Sequence, residues 1–442
     1  MRNVLLGPAL FLLAACPSSD PGEDIIGTNS SGGTSSSGGN SSSGGNSSSG
    51  GGTGDTSAPA TGDTGGPPGL LDPPDHLVDC TGAGDFNTIQ DALDAAVSGE
   101  RIGVQPCTYV ERIDLLGKTL ELYSIGGSAV TTIDGAGGGT VVNVETGESL
   151  GTRMAGFTVT GGDDDNDGSA FQIEYAAIEL QDIVMTGNGV SYAVLWANVA
   201  FVTLDDVTIT GNAVMSSGQA IWSDGGTLTA NNVTATCDGG EQTLYHHNTL
   251  ILSNSTLDCA GGHGLYDYHG EDAISRSVLS GDEAALFAHD TQSTEEEPDN
   301  PNERLWVTNS VLIGGRVGID VRYMNMTLVN SVLTGTDHAL SMEECMLSSN
   351  ATNTVYVGAD CGITGDQPFS SPYSAFYANA DDGCGVSVSP AVTTDPMFVA
   401  PPIDVTLQAG SPLIDAGDPG IRHNDRNGSR NDIGAYGGPL AP

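Results

Sequence analysis

The chain predicts an all-β fold: a parallel β-helix, a solenoid of short strands, with a short helix capping its N-terminal end. The first observation is a phrase that returns. NSVLTG (330–335) follows NSVLIG (309–314), RSVLSG (276–281) and NSTLDC (254–259). The same series holds GFTVTGG (156), DIVMTGN (182), DVTITGN (206), NVTATCD (232) and NTVYVGA (353), at steps of 26, 24, 26, 22, 22, 33, 21 and 23 residues. A period in this range marks a solenoid. The second observation is strand chemistry. β-Branched residues alternate with polar ones, and the turns carry Gly, Asn and Asp. The third is a pair of columns two residues apart, which period-two geometry places on one inward face. One holds Val159, Met185, Ile209, Ala235, Leu257, Leu279, Leu312 and Leu333; the other holds Phe157, Ile183, Val207, Val233, Ser255, Ser277, Ser310 and Ser331. The serines are expected to hydrogen-bond along the ladder, since buried hydroxyls need partners. The long step of 33 reflects an insert, HDTQSTEEEPDNPNERL (289–305), looped out of the wall.

Before the solenoid come two other segments. MRNVLLGPALFLLAAC has one positive charge, Arg2, and an apolar run from Val4 to Leu13 that is too short to span a bilayer. Leu13-Ala14-Ala15-Cys16 resembles the lipobox of bacterial lipoproteins. The resemblance implies a signal peptide (1–15) and a lipidated Cys16, with Pro17 in place of an inner-membrane aspartate pointing to the outer membrane or cell surface. The stretch to residue 77 is Gly/Ser-rich and has nothing to bury, so it is expected to be a disordered linker (16–77). About 60 such residues span roughly 45 Å as a coil. The solenoid domain then covers 78–442: cap and first coil 78–135, central coils 136–360, C-terminal cap 361–442.

The formal net charge is −44 and Lys118 is the one lysine. Such a surface repels phosphates and anionic lipid, which excludes nucleic acid and leaves membrane contact to the lipid anchor. It suits plain solubility, a salty medium or calcium.

Solenoids need capped ends. NTIQDALDAAVSG (87–99) places Ile89, Leu93 and Ala96 on one helical face, with Asn87 as N-cap and Gly99 as terminator. Cys80 and Cys107 flank this helix and are expected to pair. GDFNTIQDALDAA, CTYVERIDL, KTLELYSIGG and TTIDG, between Gly84 and Gly135, resemble the opening of pectin-lyase-like right-handed parallel β-helix proteins. DPMFVAPPIDVTLQAGSPLIDAGDP and NGSRNDIGAYGG (395–438) resemble the C-terminal module of bacterial surface β-helix proteins. The resemblance implies a right-handed helix over about 78–442. It does not carry an activity, because this fold hosts lyases, hydrolases, esterases, epimerases and adhesins.

A second strand follows each turn: QAIWSDGG (219–226), QTLYHHNT (242–249), HGLYDYHG (263–270), AALFAHDT (284–291), VGIDVRYM (317–324) and HALSMEEC (338–345). Ile221, Leu244, Leu265, Leu286, Ile319 and Leu340 should point inward. Trp222, Tyr245, Tyr266 and Phe287 should then point outward on four successive coils, followed by Asp320 and Ser341. Two residues on stand Asp224, His247, Tyr268, His289, Arg322 and Glu343. His246, His247, His263, His269, His289 and His338 all lie in this strip. Such a wall suits a polysaccharide lying along the axis, with rings as platform and polar groups beside them. The alternative is that the rings stack on one another to stabilise the sheet. His and Tyr serve as acid and base near neutral pH, so His247, Tyr268 and His289, with Arg322 to neutralise a uronate, are the catalytic candidates if the protein is a lyase or hydrolase. Gly262-His263-Gly264 matches the polygalacturonase His-Gly, but Lys118 sits in the first coil, far from an Arg-Ile-Lys site. No arginine pair of the pectate-lyase type is present, and Asp85-Phe86 lies in the N-terminal cap rather than on the mid-chain coils where pectin esterases carry it.

DDDNDGSAFQIE (163–174) fits a calcium loop through Asp163, Asp165, Asp167 and Glu174, hard oxygen ligands around Gly168. A solvated acidic loop between coils is the plainer reading. Cys237 and Cys259 occupy one turn position of consecutive coils and are expected to bond. Cys361 and Cys384 are expected to pair in the C-terminal cap, leaving Cys345 alone. The reading is therefore a lipid-anchored surface β-helix that binds polysaccharide; the alternatives are a polysaccharide lyase or glycoside hydrolase, and an adhesive or structural surface protein without a glycan ligand.

Overall fold

The computed structural model describes residues 73–441, apart from 165–167, 190, 291–303, 344–348, 366–368 and 389–390. Cys16, Asp165, Asp167, Cys345 and the linker up to residue 72 lie outside the described residues.

The described chain winds into a right-handed parallel β-solenoid of about 12 turns. Among the described residues strand pairings are parallel throughout, except for one hairpin between Phe398–Ala400 and Asp404–Leu407. The first strand, His76–Val78, already pairs with Arg101–Val104, so the solenoid starts a little before the expected boundary at 78. Likewise Cys361–Gly365 and Asp381–Cys384 still pair as coils, so winding continues into the expected C-terminal cap. Among the described residues no helix is long and apolar enough to cross a membrane.

The returning phrase has a backbone cause. Its first residue turns a corner in the left-handed region: Asp182, Asp206, Asn232, Asn254, Arg276, Asn309, Asn330 and Asn353 all have φ between 47° and 56°. Asn and Asp tolerate that conformation best among residues with a Cβ, and Gly156 fills the same place earlier. The residue three on points inward, and the column from Val159 to Leu333 is fully buried. In-register pairs such as Met185 with Ile209, Ala235 with Leu257 and Leu312 with Leu333 stack that column coil on coil.

The serine column behaves as expected. The Ser255 amide donates to Ser277 Oγ, Ser277 to Ser310 Oγ and Ser310 to Ser331 Oγ, at 3.2, 3.2 and 3.3 Å. Each hydroxyl in turn donates to a carbonyl two residues earlier. Every buried hydroxyl in this run is therefore both donor and acceptor, which removes the penalty of burying it.

The N-terminal helix spans Ile89–Ala95, shorter than expected. Thr88, not Asn87, is the N-cap: its side chain accepts from the Asp91 amide. Glu111 accepts from the Ile89 and Gln90 amides at the same end. Ala96 ends the helix rather than Gly99. Lys118 donates to the Leu93 and Asp94 carbonyls at the other end, so the one lysine serves as a helix C-cap. The three expected disulfides are present: Cys80–Cys107, Cys237–Cys259 and Cys361–Cys384.

After the last coils the chain folds back along the outside of a wall. Phe398, Val405, Leu413, Ile433 and Ala435 cover Val311, Val332, Val355 and Ala375, a second hydrophobic core separate from the lumen. The corner asparagines hold this segment. Asn309 donates to the carbonyls of Ala435 and Gly437, Asn330 donates to Gly437, and Asn353 accepts from the Asp418 amide.

Candidate functional site

The neighbouring wall has the expected register. Trp222 pairs with Tyr245, Tyr245 with Tyr266 and Tyr266 with Phe287. Their predecessors Ile221, Leu244, Leu265 and Leu286 are buried in the lumen, so the rings point outward. The column then continues to Asp320 and Ser341. It also starts one coil earlier than the sequence suggested, because Trp196 pairs with Trp222. A signal for it existed: Leu195-Trp196 precedes Ile221-Trp222 by 26 residues, one coil length.

The ring geometry settles one alternative. Trp196 and Trp222 stack at 4.9 Å and 3°, Trp222 and Tyr245 at 6.2 Å and 7°, Tyr245 and Tyr266 at 5.7 Å and 18°. Tyr266 and Phe287 follow at 4.9 Å and 31°, and the Arg322 guanidinium lies over Phe287 at 5.1 Å. The rings are half-buried by one another. Their faces are turned along the solenoid axis and occupied by neighbours, so what the wall presents to solvent is ring edges. The expectation of open faces for flat sugar stacking is corrected: strand spacing of about 4.8 Å leaves no gap for a sugar between successive rings. Burial pushes the Tyr245 hydroxyl up to about 12, with the Asp224 charge adding to it, so it stays a donor.

The polar column also keeps its register: Asp224, His247, Tyr268, His289, Arg322 and Glu343 are successive partners. Asp224 and His247 are bound, Nδ1 to Oδ1 at 2.6 Å. Tyr268 stands edge-on to His247 at 5.5 Å and to His289 at 4.7 Å. His269 and Asp290, a pair that the sequence did not suggest, form an ion pair beside them, and His269 lies 5.6 Å from the His247 ring. His269 sits at a corner with φ 54°, which swings it back to the side of His247. His246 does not belong to this outward strip. Strand alternation turns it, one residue before His247, fully into the lumen.

Arg322 binds Asp320 at 2.8 Å and approaches Glu343 at 3.5 Å. Arg316 binds Glu283 at 2.9 Å and Asp337 at 3.0 Å. Glu283, Arg316, Asp320 and Arg322, with His263, Phe287 and His338, line a shallow depression of about 310 Å³ at the end of the ring column. Burial lowers the His263 pKa, against the pull of Glu241, Glu283 and Asp320.

Of the four expected calcium ligands, Asp163 and Glu174 lie within the described residues. Glu174 ends the strand Gly168–Glu174, roughly 20 Å of extended chain beyond Gly168. There its carboxylate accepts from Asn198 Nδ2 on the wall. Asp163 is exposed at the loop start. Among the described residues the carboxylates that converge are Asp415, Asp425 and Asp432 in the C-terminal segment. Asp425 there already accepts from the Asp432 and Gly438 amides and from Ser429 Oγ.

No family model and no curated protein matches the chain. Among solved structures it is similar to a pectate lyase (12% identity, 79% of this chain, 91% of that chain, TM-score 0.42). It is also similar to the catalytic domain of a GH87 alpha-1,3-glucanase in complex with tetrasaccharides (11%, 74% and 70%, 0.42). A third is the A-module of a mannuronan C-5 epimerase of Azotobacter vinelandii (13%, 69% and 94%, 0.34). At these identities and TM-scores the likeness carries no argument of its own; the fold rests on the strand register above, a right-handed parallel β-helix.

Proposed function

We propose that the protein binds polysaccharide along the wall from Trp196 to Phe287. The observation that carries this is the pairing of two outward columns over successive coils, aromatic edges beside Asp224, His247, Tyr268, His289 and Arg322. A glycan would meet ring edges, tyrosine hydroxyls and indole N–H groups, so its recognition rests on hydrogen bonds more than on flat stacking. Both arginines at the depression already have two carboxylate partners each. Neither offers an uncompensated charge to a uronate, which favours neutral sugars. Calorimetric titration with a panel of neutral and acidic oligosaccharides tests this. Binding of a neutral glycan that weakens in Tyr245→Phe and Tyr266→Phe supports the reading; no binding across the panel, or binding that both variants keep, overturns it.

A second reading is acid–base catalysis on a bound glycan. The bond from Asp224 to His247 Nδ1 supports it, because it orients the imidazole and leaves Nε2 to act. Product analysis on any bound glycan would then show cleavage that His247→Ala loses while binding persists. We further propose, from the segment ending in Cys16, that a lipid holds this solenoid at the cell envelope. Cys16→Ala should move the protein from the membrane fraction to the soluble one.

A further inference from the structure

Directly behind the polar column the lumen is not apolar. The inward column reads Ser223, His246, Asp267, Ala288, Val321 and Met342. A second inward column, around the corner, places Asp272 among aliphatic residues such as Leu250 and Leu305. His246, Asp267 and Asp272 are all completely buried. His246 Nε2 lies 4.0 Å from Asp272 Oδ1, too far for a hydrogen bond, and both ring nitrogens lack partners. Asp272 Oδ1 accepts from the Leu250 amide at 2.9 Å. Asp272 Oδ2 and both Asp267 oxygens have no donor.

Two carboxylates are acceptors only, and unpaired they cannot both stay charged in a dry lumen. One proton placed between them makes a hydrogen bond and removes a charge. Burial raises both acids, Asp267 to about 6, and for Asp272 the Asp267 charge adds to the rise. Burial lowers His246 to about 3, with the His247 charge next, so it is neutral and supplies no counter-charge. The charged and titratable groups around the pair are Asp224 and His247 from the two preceding coils, Tyr268, His269 and Glu271 on its own strand, and His289, Asp290, Arg304 and Arg322 from the following coils. All of these lie on or near the outward side, whereas the pair faces inward.

We propose that Asp267 and Asp272 are both neutral inside the solenoid in mildly acidic surroundings, and that the first proton the pair loses as pH rises leaves a buried charge that loosens the corner carrying His247, Tyr268 and His269. The wall is then firmest in mildly acidic surroundings. For its consequence on ligand binding this rests on the polysaccharide reading; the proton device itself does not. The sign follows from linkage. An acid whose folded pKa is raised contributes stability that is complete below its unfolded pKa, near 3.8, and falls as pH climbs through about 6.

The test is thermal unfolding of the whole chain, without ligand, from about pH 4 to pH 8. Wild type should lose roughly 5 °C more than Asp272→Asn or Asp267→Asn over this range. Hydrogen exchange on the wild type covers the case in which a variant fails to fold. The peptide spanning 264–274 should gain exchange with pH, beyond the intrinsic rate, more steeply than the peptide spanning 311–321. Equal pH slopes in wild type and variants, or equal gains in both peptides, overturn the proposal. Glycan binding is scored separately: a proton effect without any glycan binding leaves this inference standing and sinks the polysaccharide reading.

Discussion

On the wall that follows the repeated phrase, one outward column runs Thr158, Val184, Thr208, Thr234, Thr256, Val278, Val311, Val332, Val355 and Ala375. Thr234 and Thr256 face solvent; Val332 and Val355 are fully buried beneath the C-terminal segment. On the next wall the outward column runs Trp196, Trp222, Tyr245, Tyr266 and Phe287, half-buried by its own members and by flanking side chains such as Tyr192, His263, His289 and Arg322. The two walls share one backbone, one twist and one alternation. They differ in what lies over them, and the residue type follows: threonine under water, valine under the chain's own flap, and aromatic edges with titratable groups where nothing from the described chain lies on top.

The sharpest way to break this contrast is to charge the covered column. Val355→Asp would bury a carboxylate among Val332, Ile433 and Leu413, and should cost about 4 kcal/mol or detach the segment beyond residue 396. Limited proteolysis and thermal unfolding report both. Thr234→Asp, in the same column on the open stretch, should change stability by about 0.5 kcal/mol or less. Comparable losses in the two would mean that coverage is not what separates them.

Next in size is the cystine at the turn joining the two walls. Cys237 and Cys259 close a loop of 22 residues, for which chain entropy gives roughly 3 kcal/mol. Cys237→Ser with Cys259→Ser should lower the unfolding midpoint accordingly, and an unchanged midpoint would show the turn to be held by its hydrogen bonds alone.

The smallest expected effects separate structure from recognition on the aromatic wall. Because the rings stack on each other, Tyr245→Ala or Tyr266→Ala should cost stability, about 1 kcal/mol for each ring pair it breaks. The phenylalanine variants keep the stack and should unfold like wild type. A binding loss in the phenylalanine variants without a stability loss assigns the hydroxyls to recognition. A stability loss in the alanine variants with no change in binding assigns the whole ladder to the sheet.

Much of the wall was legible because it depends on parity. Once Leu244 is inward, Tyr245 is outward, His246 inward and His247 outward, and no tertiary detail is needed to say so. Grouping His246 with the outward histidines set that parity aside. Trp196 escaped because its coil, YAVLWANVA, has Asn198 where the later coils carry titratable residues two positions after the ring. The His269–Asp290 pair escaped for a different reason: His269 lies at a left-handed corner, where alternation no longer tells direction. Glu174, the last position of the calcium spacing, follows Phe171 and Ile173, strand residues packed in the lumen.

By itself the sequence determined the coil length, the inward columns, the serine ladder and the disulfide partners. These are consequences of a period and of a two-residue alternation, both properties of local backbone. The tertiary structure alone decided that ring faces are spent on one another, that the valine column is covered, and that Asp267 and Asp272 are buried in the lumen with oxygens that lack donors. Those outcomes depend on side chains meeting across coils, or across long stretches of chain, as Asn309 meets Ala435 at a separation of 126 residues. A repeat pattern says which way a side chain points; only the packed molecule says what it finds there.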